Sequence, residues 1–480
     1  MKQTSLPNAS KDIDAAVMFR EALPHGEERQ LRLYGFFWTG ILLLASLAAT
    51  LFYADFNTLV DGFLRILLSP AKLLTDYFEL GGIGATFLNA ALCGLACNLA
   101  LLVTKTKPSA LTLAASFLVI SHCFFGLNFL NMWPPFLGVL LCGWLRKVPK
   151  KELLPLAMFS TSLGPFVSEF LFRYFQREAF DPLHPSVTIP GILLSLAFGL
   201  LAGFLVPALL PGTAKMHRGF SLYKAGLAVG IFGMFAFAFF YKTLGIDNTG
   251  PLSFVNPHYE TFERSYLLFV NLFFCAAFAL TLLWGFLTNQ KSFRGYKALF
   301  DCDGWQDDFP LKFGISKTLL NISIYGFCVL AYFNIVILLT DGAGFTGPTT
   351  GVIIAAITFG ASGQTPKNVW PIAVGYMILV GAASGICTLM HLPIPSSLST
   401  QGYLSGLAFA TGLCPFTGRY GRRYGVVAGF LSALLCTSTI AMHGGFVLYN
   451  GGFAAGLAAM LLIPILDYYK VPEKEHEIGK

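Results

Sequence analysis

The chain has 480 residues, 55% of them apolar and only 12% charged, with a mean hydropathy of +0.65. A soluble fold of this size cannot cover so much apolar surface, so the composition excludes a water-soluble domain and makes a bilayer the expected solvent. The formal net charge of +7 is not joined by any basic-aromatic stripe or soluble module, so no nucleic-acid partner is expected.

Residues 1–33 carry both charge signs and no apolar core ahead of a small-residue cleavage site, which predicts a cytosolic amino-terminal tail and not a signal peptide. Runs of roughly 20 apolar residues, enough to cross about 30 Å of hydrocarbon, then follow one another. In a first membrane unit, residues 34–243, they fall near 34–54, 82–104, 109–127, 132–146, 153–174, 188–211 and 220–242. Residues 244–265 read as an extracytoplasmic connector. In a second unit, residues 266–467, the runs fall near 266–288, 317–340, 345–362, 369–390, 402–418, 422–442 and 446–467, before a cytosolic tail at 468–480. The stretches 109–146 and 345–390 are each divided by a polar, proline-containing break, and each reads either as two spans or as a re-entrant hairpin.

The second unit repeats the first. Gly82-Ile83-x-x-Thr86-x-Leu88-Asn89 returns 232 residues on as Gly314-Ile315-x-x-Thr318-x-Leu320-Asn321. Asn131-x-Trp133-Pro134 returns after 237 residues as Asn368-x-Trp370-Pro371, and Phe159-x-Thr161-x-Leu163-x-Pro165-Phe166 after 250 as Phe409-x-Thr411-x-Leu413-x-Pro415-Phe416. Met216-His217-x-Gly219-Phe220-x-Leu222-Tyr223 closes the first unit and, 226 residues later, Met442-His443-x-Gly445-Phe446-x-Leu448-Tyr449 closes the second. Four blocks in the same order, with offsets that differ by loop-sized amounts, make this a duplicated chain. An odd number of segments per copy sends the second copy into the membrane from the opposite side. The expected fold is therefore an all-α polytopic membrane protein of two inverted-topology repeats, each of about seven transmembrane or re-entrant segments.

The charges fit that count. With the amino terminus inside, Lys105/Lys107, the Arg146–Lys151 cluster, Lys215/Arg218, Lys291/Arg294/Lys297, Lys367 and Arg419/Arg422/Arg423 all fall on the cytoplasmic side of a plasma membrane. The segments 55–80 and 289–313 are amphipathic connectors that read as braces in the membrane surface, with Asp308 aligned on Asp76.

Function is expected at the two Asn-x-Trp-Pro breaks. Irregular backbone at membrane depth is tolerated only when it is buried in protein or lines a wet cavity, and paired breaks in inverted halves point to a solute or ion site. The candidate binding residues are Asn128, Asn131, Ser362, Gln364 and Asn368, with Asn89 and Asn321 as a second symmetric pair that either lines the path or bonds neighbouring helices. Gly126, Pro134, Gly363 and Pro371 are the candidate breaks and hinges, the two prolines opening helices whose amino ends face the breaks. His122, Glu169, His217 and His443 are the candidate proton-responsive groups, against a plainer reading of the last two as interfacial anchors. Glu169 lies four residues from Arg173 and has no carboxylate counterpart in the second copy. The Gly226/Gly230 and Gly452/Gly456 spacings read as helix-packing faces, which also offer a route to an oligomer. Cys93 and Cys97 share a helix face, but nothing completes a metal-ligand set, so no metal and no cofactor is expected beyond a coupling ion, sodium or proton.

The Asn-x-Trp-Pro and Met-His-x-Gly-Phe-x-Leu-Tyr blocks, with the glycine-rich spans, resemble a bacterial family of two-copy, multi-pass membrane proteins known as domain of unknown function 1576. The resemblance covers nearly the whole chain beyond residue 34 and implies a bacterial plasma-membrane setting without an activity or site residues. The architecture is also similar to inverted-repeat secondary transporters, which implies a carrier of a small solute. A membrane enzyme or assembly factor for lipid-linked material is the alternative, and a channel the third reading. A carrier calls for a polar cavity between the repeats, closed on one side. An enzyme calls for a lateral opening to lipid with a catalytic group in one repeat, and none of the familiar catalytic motifs is present.

Overall fold

The computed structural model describes residues 23–53, 56–181, 184–252, 257–394 and 396–474, and among these it is entirely helical, with no strand. Residues 1–22 and 475–480, most of the two expected tails, lie outside the described residues, as do 253–256 of the expected connector. The first repeat runs through α1 (His25–Phe52), α2 (Phe56–Leu67), α3 (Tyr77–Gly81), α4 (Ile83–Val103), α5 (Ala110–His122), α6 (Trp133–Arg146), α7 (Lys150–Ser160), α8 (Gly164–Phe172), α9 (Ile189–Met216) and α10 (Lys224–Phe237), which ends in a π-helical turn at Ala238–Thr243. The second runs through α11 (Pro257–Thr288), α12 (Phe309–Phe313), α13 (Ile315–Leu339), α14 (Gly347–Ala356), α15 (Pro366–Leu389), α16 (Gln401–Ala410), α17 (Cys414–Tyr420), α18 (Arg422–Cys436), α19 (Thr439–Met442) and α20 (Asn450–Tyr468).

The repeat is visible down to the caps. Asp76 accepts from Phe78 N at 2.9 Å to start α3, and Asp308 accepts from Leu311 N at 3.0 Å to start α12. Ser109 caps α5 through Thr112 N, and Thr346 caps α14 through Thr349 N. A helix needs such acceptors because its first turn of N–H groups has no partner of its own. Copies of one sequence thus set copies of one boundary.

Eight of the described helices are long and apolar enough to cross a membrane: α1, α4, α9, α10 with its π turn, the Tyr266–Thr288 part of α11, α13, α15 and α20. The other apolar runs are short. Helices α5 and α14, of 13 and 10 residues, extend only about 20 and 15 Å at 1.5 Å per residue, so neither spans the bilayer. They lie buried against each other, so each break joins a short buried helix to the next element, the arrangement a re-entrant hairpin would have. The run near 153–174 is broken as well. A 3₁₀ turn at Thr161–Leu163 separates α7 from α8, because Pro165 supplies no N–H to the carbonyl four residues back, and Thr411–Leu413 separates α16 from α17 in the same way. The hydroxyls of Thr161 and Thr411 bond the carbonyls of Met158 and Ala408, both at 2.7 Å.

The two repeats exchange their last blocks. Leu222 N donates to Gly412 O at 3.0 Å, and its counterpart Leu448 N donates to Ser162 O at 3.1 Å, so each Met-His block docks on the broken helix of the other repeat. Beyond these docks α10 and α20 meet at the pseudo-two-fold axis. A Cβ on Gly226 would stand 2.5 Å from the Gly452 carbonyl carbon, so the two glycine stripes face each other within one chain.

Candidate functional site

The breaks are held by the amides that mark them in the sequence. Asn89 Nδ2 donates to Cys123 O and Leu127 O, both at 3.0 Å, and Asn321 Nδ2 donates to Gly360 O and Gln364 O, both at 2.8 Å. These four carbonyls correspond pairwise across the repeat. Asn131 closes its break by accepting from Asn128 N at 2.9 Å and donating to Gly126 O at 3.0 Å; Asn368 does the same with Thr365 N at 2.9 Å and Gly363 O at 2.8 Å. Asn128 Nδ2 reaches Ile66 O at 2.8 Å, and Gln364 bridges Phe359 N and Thr411 Oγ1 at 3.1 and 2.6 Å. In an apolar interior an unbonded carbonyl costs about 1–3 kcal/mol, so these side chains are what make two irregular loops tolerable there. Gly126 and Gly363 take φ of +136° and +117°, values that a side chain would strain. Pro134 sits in the first turn of α6 as expected, but Pro371 does not open a helix. The Thr365–Asn368 capping box starts α15 at Pro366, which leaves Pro371 inside it.

The breaks do not meet. The first joins the start of α14, where a Cβ on Gly351 would fall 2.4 Å from Ser121 O, and the second faces the start of α5 across a cavity. Helices α5 and α14 are therefore antiparallel, with one break at each end of the interface between the repeats. At the core of that interface His122, Tyr223, Phe409 and Tyr449 cluster, with His122 and Tyr449 ring centres 5.0 Å apart and Tyr223 and Phe409 5.1 Å apart.

The two ends differ. At the first, Asp76 Oδ1 accepts from Gly347 N at 2.9 Å, so one carboxylate caps both α3 and α14, and Leu73 N donates to Gly445 O at 2.7 Å. At the second, the matching residues Ala110 and Asp308 both line a cavity of about 100 Å³. Trp305, the counterpart of Leu73, turns its backbone N–H to Asp303 at 2.8 Å and reaches Arg218 O only with its ring nitrogen, also at 2.8 Å. One end is closed and the other open.

Both repeats contribute to the open cavity. Lys224 lines it beside Tyr223 and Tyr449, with Ser362 from the second break and Asp307 and Asp308 from the connector. Asp307 is already engaged with Gly304 N and the Lys312 ammonium. Lys224 stands where the second repeat has Asn450, whose Oδ1 accepts from His443 Nε2 at 2.9 Å and whose Nδ2 donates to Cys436 O at 2.8 Å. Without that amide, both ring nitrogens of His217 are buried and unbonded. Burial, with Lys224 adding to it, holds His217 down to about 4, and burial holds His443 down to about 4, so both rings are neutral near neutral pH.

The closed end carries a buried ionic cluster. Glu169 accepts from Arg173 at 2.7 Å and from Tyr241 OH at 3.3 Å, with the Lys72 ammonium 3.9 Å away. Lys72 also reaches Asn248 and Thr249 O and lies 4.3 Å from the Phe446 ring centre. Burial pushes Lys72 down to about 8, with Glu169 pulling the other way. Glu169 does have a counterpart, of opposite sign: 250 residues on stands Arg419, paired with Asp303 of the connector at 2.8 Å.

Of the residues nominated from sequence, Ser362 lines the cavity, His122 stands in the aromatic core, Glu169 holds the closed end, and the amides frame the breaks. Sequence reasoning missed Lys72, Lys224 and the Asp303–Arg419 pair. Positions where the copies differ in charge, such as Lys224 against Asn450, are the signal that finds them.

A membrane protein of two inverted halves, with a cavity at their interface, is the class that fold and site define. The chain belongs to the family described as Protein of unknown function (DUF1576), whose model matches residues 56–242 and 288–468, one region in each repeat. No curated protein and no solved structure matches the chain.

Proposed function

We propose that this protein is a carrier for a small solute that works by alternating access between its two inverted repeats. The observation that supports this reading most is the asymmetry between matching contacts: Asp76 sits on the start of α14, whereas Asp308 stands across a cavity from the start of α5. Two near-copies of one structure, facing opposite ways, can exchange those contacts. In the other state Asp308 caps α5, the cavity closes, and Asp76 leaves α14. With the basic segments inside, the cavity opens to the cytoplasm and the Glu169 cluster seals the outer face. The solute site comprises Lys224, Ser362 and Tyr449, framed by the breaks that Asn89, Asn131, Gln364, Asn321 and Asn368 hold in shape. A coupling ion, sodium or proton, belongs to the same cycle.

The test is a thermal-stability screen of the purified protein against sodium, pH and a panel of small metabolites, beside Lys224→Asn and Ser362→Ala. A solute at a hundredfold excess over its Kd stabilises the fold by about 2.7 kcal/mol. A shift in the parent protein that both substitutions weaken is the expected result. A ligand whose shift ignores both substitutions places the site elsewhere, and a panel that shifts nothing removes support for a carrier.

A further inference from the structure

A second cavity lies away from the repeat interface, on the bilayer-facing side of the second repeat. It has a volume of about 260 Å³ and lies between α13 and α15, with Tyr325, Tyr332 and Phe333 on one wall and Val369, Trp370 and Ala373 on the other. Cys328 and Trp370 line it and are exposed on helices of membrane-spanning length, so the cavity opens sideways into hydrocarbon. On the α15 and α16 side the first repeat carries larger, buried side chains, Phe136 for Ala373, Met132 for Val369 and Met158 for Ala408, whereas on the α13 side it carries the smaller Cys93, Ala100 and Leu101 for Tyr325, Tyr332 and Phe333. The two copies therefore line this place differently, with the second repeat leaving space on its α15 side.

Its mouth is cationic. The Arg422 guanidinium lies over the Trp370 ring, 5.5 Å from its centre, at the start of α18. Lys367, three residues before Trp370 on α15, is exposed and donates to Phe300 O at 2.8 Å. Neither a soluble metabolite nor a peptide enters a cleft that opens into hydrocarbon, whereas a lipid meets it with both ends matched: chain against the aromatic and aliphatic walls, phosphate against the two cations.

We infer that this cleft is a binding site for an anionic phospholipid, with one acyl chain between α13 and α15 and the phosphate at Arg422 and Lys367. The two cavities share no lining residue, although Ala356 of α14 and Leu407, Ala408 and Thr411 of the broken helix lie on the inner side of this one, so the inference does not rest on the carrier reading.

Native mass spectrometry of the detergent-purified protein, titrated separately with phosphatidylglycerol and phosphatidylcholine, tests it. The parent protein is expected to retain one phosphatidylglycerol in clear preference to phosphatidylcholine. Ala373→Phe, which installs the side chain the first repeat already carries, is expected to lose that retained lipid while keeping its thermal stability in detergent. Arg422→Gln and Lys367→Gln are each expected to weaken retention about fivefold, the effect of one basic residue near an anionic surface. Equal retention of the two lipids, unchanged retention in a folded Ala373→Phe protein, or a second copy of the chain protected at Trp370 instead of lipid would each overturn the inference. If Ala373→Phe does not fold, the two charge substitutions decide alone: unchanged preference in both overturns it.

Discussion

The closed and open ends of the repeat interface are made from the same sequence blocks, yet one carries a buried ionic cluster and the other a cavity. At the closed end the carboxylate stands on the broken helix, as Glu169, and the cation on the connector, as Lys72; at the open end the cation stands on the broken helix, as Arg419, and the carboxylate on the connector, as Asp303. Only the broken-helix positions correspond, since Lys72 aligns with Gly304 and Asp303 with Ala71, and the burial differs: Lys72 and Glu169 are 2% and 1% exposed, Arg419 and Asp303 22% and 12%. Duplication supplies two ends of one design, and divergence at a few charged positions sets how deeply the ion pairs of each end are buried. A buried ion pair is held by the lack of any alternative to its partners, whereas one that water reaches contributes less.

The sharpest test of that difference is charge removal. Glu169→Gln leaves Lys72 and Arg173 buried without their carboxylate and is expected to cost about 3–5 kcal/mol in a detergent unfolding assay, whereas Arg419→Gln is expected to cost at most about 1 kcal/mol. Equal losses would break the comparison. Next in size is the axis that both ends share. Gly226→Leu forces side-chain atoms into the Gly452 backbone and is expected to destabilise by about 3 kcal/mol, read from the melting temperature. A stable Gly226→Leu protein would remove α10 and α20 from the pivot.

The framing amides are expected to behave alike. Asn89→Ala and Asn321→Ala each release two buried carbonyls, so each should lower stability by about 2 kcal/mol in the same assay. A large loss in one and none in the other would show that the two breaks are not held in the same way. The smallest effect belongs to the caps. Asp76→Asn is expected to cost about 1 kcal/mol by weakening the Gly347 bond and to raise labelling of cysteines placed at the closed end, whereas Asp308→Asn leaves that labelling unchanged.

Much of this was legible in the chain. Repeated blocks gave the duplication, which the family match in two regions shares, and the aligned residues Asp76 and Asp308 are both helix caps. The amides at the breaks stood out because a buried Asn needs partners, although sequence alone left open whether those partners are a solute or the backbone. Hydropathy could not separate α5 and α14 from true spans, since a helix buried in protein is as apolar as one facing lipid. Pro371 misled because proline is welcome in the first turn of a helix, and the capping residues that set the real start lie one turn earlier. The Glu169–Arg419 exchange was hidden because a search for repeats rewards identity, and the functional difference between two copies lies where identity fails.

The central claim is that the two ends open and close in opposition. Spin labels at Val60 and Met442 report the closed end, and labels at Phe293 and Met216, their near-counterparts in the other copies of the same blocks, report the open end; all four positions are exposed. In lipid nanodiscs, double electron–electron resonance should give two distance populations for each pair, with Asp76→Asn lengthening the first distance and shortening the second. Distances at the two ends that lengthen together, or that stay fixed while Asp76→Asn alters neither, would contradict alternating access.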